Sequence, residues 1–82
     1  MPEITRFYGV IIRMYYKDHV PPHIHASYGE MEALVSVETG EVIDGRLPRT
    51  ARRLVREWVC QHTAQLQEMW ESQDIMELPP LE

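Results

Sequence analysis

The chain has 82 residues, 44% of them apolar and 26% charged, with a formal net charge of −5. That balance argues against disorder, and the length allows one domain with a core thin enough that a metal, a dimer interface or a partner would add to its stability. No apolar run reaches the roughly 18–20 residues of a membrane span, no basic-then-apolar leader opens the chain, and the single Cys60 excludes an internal disulfide. A cytoplasmic location is expected.

In chain order, Phe7 to Tyr16 reads F-Y-G-V-I-I-R-M-Y-Y, rich in β-branched and aromatic residues. It predicts a largely buried strand. Pro21 and Pro22 lack amide donors and impose a turn between Lys17 and Pro22. A second strand is expected from His23 to Tyr28, then a Gly29-Glu30 corner and a third strand from Glu32 to Glu38. In the third, Ala33, Val35 and Val37 alternate with Leu34, Ser36 and Glu38, so one face is apolar and the other mixed. Thr39-Gly40 turns the chain into a short fourth strand at Val42-Ile43, which Asp44-Gly45 ends.

The remainder predicts one helix with Pro48 near its entry, where a missing amide costs nothing. Leu47, Ala51, Leu54, Val55, Trp58, Val59, His62, Leu66, Met69 and Trp70 recur at steps of three and four. They fall within an arc of about 160°. The expected fold is therefore α+β: an antiparallel β-meander of three to four strands packed against one long C-terminal amphipathic helix. The domain would span residues 1–76. The Pro-rich tail, 77–82, cannot continue the helix and is either frayed or draped over the surface.

Asp18-His19-Val20-Pro21-Pro22-His23-Ile24-His25 holds three of the four histidines, a carboxylate and two prolines. Histidines two apart in a strand share a face with Cα atoms about 6.6 Å apart, close enough for both rings to reach one ion at about 2.0–2.1 Å. His23 and His25 are thus candidate ligands for a divalent metal such as zinc, with Asp18 or His19 as a third. His62, on the apolar helix face, is a further candidate. Three protein ligands and an open position would suit a metal-dependent hydrolase or nuclease; metal-free acid–base catalysis is another option. The competing structural reading has the imidazoles bonding backbone groups around the prolines, Asp18 capping the turn, and His62 as a core histidine with one satisfied nitrogen.

Arg49, Arg52, Arg53 and Arg56 follow at i, i+3, i+4 and i+7, within an arc of about 100° bordering the apolar one. Cations in the first turns oppose the helix dipole, at about 0.3–1 kcal/mol each when exposed, and neighbouring like charges repel. Glu57 offsets this partly through Arg53. A sequence serving helix stability alone would place these arginines at the other end. They are candidate contacts for an acidic protein partner, unless carboxylates such as Glu30, Glu32 or Glu41 pair with them. Direct nucleic-acid binding is the weaker alternative. Tyr8, Tyr15, Tyr16 and Tyr28 could stack bases, but the pI near 5.3 opposes it and no nucleic-acid-binding signature is present.

Several stretches together resemble a small bacterial and archaeal family, domain of unknown function 4160. They are Met-Pro-Glu-Ile at the start, Arg6-Phe7-Tyr8-Gly9, Tyr15-Tyr16, Asp18-x-x-Pro21-Pro22-His23-x-His25, Tyr28-Gly29-Glu30, Leu47-Pro48-Arg49 and Trp58-x-x-x-His62 leading to Trp70. The Leu-Pro-Pro-Leu-Glu ending is similar too. The resemblance implies no established activity or catalytic residue. It implies a neighbouring gene for another small domain, in units like toxin–antitoxin modules. The expected function is a cytoplasmic binding module, with homodimerisation left open by the sequence and no membrane association expected.

Overall fold

A computed structural model describes residues 3–81; Met1, Pro2 and Glu82, which the expected domain and tail include, lie outside the described residues. The chain forms β1 (Glu3–Phe7), β2 (Val10–Arg13), β3 (His23–Tyr28), β4 (Met31–Ser36), β5 (Val42–Gly45) and α1 (Arg49–Ser72). The strands pair in sequence order, each antiparallel to the next. The α+β meander with one covering helix is as expected, with five strands instead of three to four.

The extra strand comes from splitting the first apolar run. Phe7 pairs with Val10, so Tyr8 and Gly9 form a two-residue hairpin loop, both at positive φ (47° and 84°). This is the pattern of a type I′ turn, whose twist suits adjoining strands. The next hairpin closes between Tyr28 and Met31 with Gly29 at φ 59°. Glycine in the first loop position is what a type II′ turn requires.

Strand alternation directs Val10, Ile12, Ile24, Ala26, Ala33 and Val35 to the helix side, and all are buried. Ile12 pairs with Ala26, and Ala26 with Ala33, so small and large side chains meet across the sheet. From the helix, Ala51, Val55, Trp58, Val59, Leu66 and Met69 complete the core. Trp58 is the largest fully buried side chain, with its ring centroid 6.1 Å from that of Phe7.

The helix is kinked at His62 (φ −127°, ψ 18°). There the His62 Nδ1–H donates to the Trp58 carbonyl at 3.0 Å and the Thr63 hydroxyl to that of Val59 at 2.9 Å. Two consecutive side chains bonding the preceding turn bend a helix in this way. The helix ends at Gln73 in the left-handed conformation, its amide donating to the Met69 carbonyl at 2.9 Å.

Beyond Gln73 the chain turns back along the core. The Leu78 amide donates to the Ile4 carbonyl, the Trp58 indole donates to the Pro79 carbonyl, and Leu81 is buried. Of the two fates expected for the tail, draping is the one described, with apolar side chains anchored.

Candidate functional site

The loop between β2 and β3 meets the C-terminal turn of the helix, where the Lys17 amide donates to Gln73 Oε1. Within this loop the Val20–Pro21 peptide is cis. Asp18 reaches back over the start of β3, and its Oδ2 lies 3.0 Å from Nε2 of both His23 and His25. Its Oδ1 accepts the His19 amide at 2.8 Å. Burial pushes the Asp18 carboxyl up, but the His25 hydrogen bond, the His19 amide and His23 together outweigh it and hold the group below its ordinary value.

Each imidazole is further fixed. His23 is buried, its Nδ1–H donates to the Pro21 carbonyl at 2.8 Å, and its ring lies 5.1 Å from Trp70. His25 is half-buried and meets the edge of Tyr15 at 4.3 Å, with the two imidazole centroids 5.3 Å apart. The two rings therefore converge on one carboxylate, as their i, i+2 spacing suggests. The contact with Pro21 is also the backbone bond anticipated by the structural reading.

The other two histidines stand apart. His19 is exposed and joins the cluster through its amide only; its ring is not among the converging groups. His62 is held by Trp58, stacked at 4.7 Å and bonded to that residue's carbonyl. Sequence spacing did not identify Tyr15 and Trp70 as walls of the cluster. Their proximity arises from the loop and the helix end meeting, which no local spacing encodes.

Arg49, Arg52, Arg53 and Arg56 are all exposed and line a shallow cleft of about 190 Å³ with Glu41. Among the described residues only Arg56 has a carboxylate partner, Glu41 at 3.7 Å, and both side chains are more than half exposed. An exposed pair at that distance contributes little, on the order of 0–1 kcal/mol. The anticipated offset from Glu57 to Arg53 is not formed as an ion pair. Gly40, at φ 77°, lets the β4–β5 turn approach the helix, since a Cβ there would stand 3.2 Å from the Arg56 backbone.

On the opposite flank of the helix start, an apolar cleft of about 440 Å³ is lined by Tyr8, Tyr28, Pro48, Ala51, Leu54 and Leu81, among others. Tyr8 and Tyr28 are large aromatics left exposed at its rim. Only folding reveals this cleft, because its walls come from two hairpin turns, the helix and the tail. Among the described residues, no helix is long and apolar enough to cross a membrane.

The family model for the domain of unknown function DUF4160 matches residues 9–71, which include the histidine cluster, all four ridge arginines and most of the helix. The chain belongs to that family. No curated protein and no solved structure matches it significantly.

Proposed function

We propose that this DUF4160 family member is a small cytoplasmic bacterial binding module. It engages an acidic protein partner through Arg49, Arg52, Arg53 and Arg56, as one component of a two-gene regulatory or toxin–antitoxin-like unit. The observation that carries this reading is a helix start with four exposed guanidinium groups and, among the described residues, only one distant carboxylate partner. The first turn has no acidic residue and no side-chain cap, so the local electrostatics disfavour the helix the arginines sit on. An acidic surface would offset both the dipole mismatch and the mutual repulsion, and guanidinium forks pair bidentately with carboxylates. The apolar cleft on the other flank of the helix start offers area that a protein surface can fill and a bare polyanion cannot.

The test is co-expression with the product of the adjacent gene, followed by affinity measurement across a salt series. A complex that survives at about 100 mM salt and weakens as salt rises is expected for a charged interface. Replacing all four arginines by Gln should abolish it while leaving the fold intact by circular dichroism. Unchanged binding by the Gln variant, or no complex at all, would remove the reading.

A further inference from the structure

We propose that Asp18, His23 and His25 form a divalent transition-metal site, with zinc the best-suited ion. Four ligands placed tetrahedrally about 2.0–2.1 Å from a zinc ion stand about 3.3 Å from one another. Asp18 Oδ2 is 3.0 Å from each imidazole Nε2. One ligand atom from each of the three residues also lies within 4.8 Å of the others. Seating an ion therefore asks the carboxylate to withdraw by a few tenths of an ångström from each ring.

The Pro21 carbonyl can only accept, so His23 Nδ1 must carry a proton to make its 2.8 Å contact. The ionised Asp18 carboxylate also only accepts, so the 3.0 Å contact at His23 Nε2 asks the same ring for a second proton. A metal cation at Nε2 would serve the Asp18 carboxylate in place of that second proton and leave the Pro21 bond as it is. A ligating histidine ordinarily donates its other ring nitrogen to a carbonyl or carboxylate, which is the position Pro21 occupies here.

Trp70 packs on His23, and Tyr15 meets His25 edge-on, so each ring is held by an aromatic neighbour. Asp18 and His25 keep 18% side-chain exposure, which leaves an ion a way in and a position for an external ligand. Two imidazoles and a carboxylate favour a borderline transition metal over Mg²⁺, which prefers oxygen ligands. The proposal stands on different residues from the arginine ridge, and either can fail alone.

The experiment uses the full chain without a histidine tag, stripped by chelator and titrated calorimetrically with Zn²⁺. Saturable binding of one ion per chain is expected, with Co²⁺ substitution giving the visible bands of a low-coordinate nitrogen–oxygen site. Because buried His23 is the replacement most exposed to misfolding, the diagnostic variants are His25→Ala and Asp18→Asn, with folding checked by circular dichroism. Losing a group that only hydrogen-bonds a metal ligand already costs about 10–100-fold in affinity, so removing a ligand itself should weaken Zn²⁺ by at least about 100-fold. His19→Ala should leave it unchanged. No saturable Zn²⁺ binding, or binding indifferent to both diagnostic variants, overturns the proposal.

Discussion

The buried indole of Trp58 donates its N–H to the carbonyl of Pro79 at 2.8 Å, joining the centre of the helix to a tail 21 residues further on. Leu81 is buried in the same core, and the Leu78 amide donates to the Ile4 carbonyl on β1. The tail thereby closes the end of a core too small to spare apolar area. Removing residues 77–82 should lower stability by about 2–4 kcal/mol, from one buried leucine plus two hydrogen bonds. Trp58→Phe in the full chain retains most of the ring but strands the Pro79 carbonyl, and should cost about 1–3 kcal/mol. Urea denaturation of the two variants checks both, and a truncated chain as stable as the parent would show that the tail contributes nothing.

His23 and His25 differ in what they hold. His23 is buried, carries two hydrogen bonds and packs on Trp70; His25 is half-buried and carries one. In chelator-treated protein, His23→Ala should cost about 2–4 kcal/mol and His25→Ala about 1 kcal/mol, because only the first opens a cavity as well as losing bonds. Chemical denaturation of the two variants would reveal the order. Equal losses would mean that the loop, not the rings, holds Asp18 in place.

The arginine ridge sets stability against binding. Arg49 is the first helical residue, where a carboxylate is favoured and a cation is not. Arg49→Glu should therefore stabilise the isolated protein by about 0.5–1 kcal/mol, a rise in Tm of about 2–8 °C for a domain of this size. The same change should weaken the partner complex, and more strongly at low salt than at high. A fall in Tm would mean that Arg49 has a stabilising role in the free protein.

The extent to which the sequence disclosed this arrangement depends on how local each cause is. The β3 boundaries follow from Pro22 before His23 and Gly29 after Tyr28, and the helix start follows from Pro48, so these were legible. Convergence of His23 and His25 follows from strand period alone. The β1–β2 turn was concealed because Tyr8 occupies a positive-φ position that tyrosine rarely takes, which made Phe7 to Tyr16 read as one strand. The walls of the histidine cluster and the tyrosine-lined cleft bring together residues far apart in sequence: His23 packs against Trp70, and Tyr8 and Leu81 line one cleft. No window of neighbouring residues contains them. The helix kink lies between these cases. Thr63 hints at back-bonding, but the His62 tautomer and rotamer that complete it are set by stacking on Trp58.

Tyr8 itself offers the sharpest test of whether the cleft is for binding. Its φ of 47° is strained for a bulky side chain, and 62% of it is exposed, so its place in the turn is not explained by burial. Tyr8→Asn creates the Asn-Gly pair that a type I′ turn prefers. Relief of the left-handed strain, about 1–2 kcal/mol for an ordinary residue and less for Asn, should exceed the loss of the edge contact between Tyr8 and Phe7. The variant should thus fold at least as stably as the parent, by about 0.5 kcal/mol or more. If the partner's apolar surface enters the cleft, the same variant should bind it several-fold more weakly with an unaltered salt dependence, because no charge has changed. Titration of the co-expressed partner against both forms measures this directly. Equal affinities would confine recognition to the arginine ridge and leave Tyr8 without a part in binding.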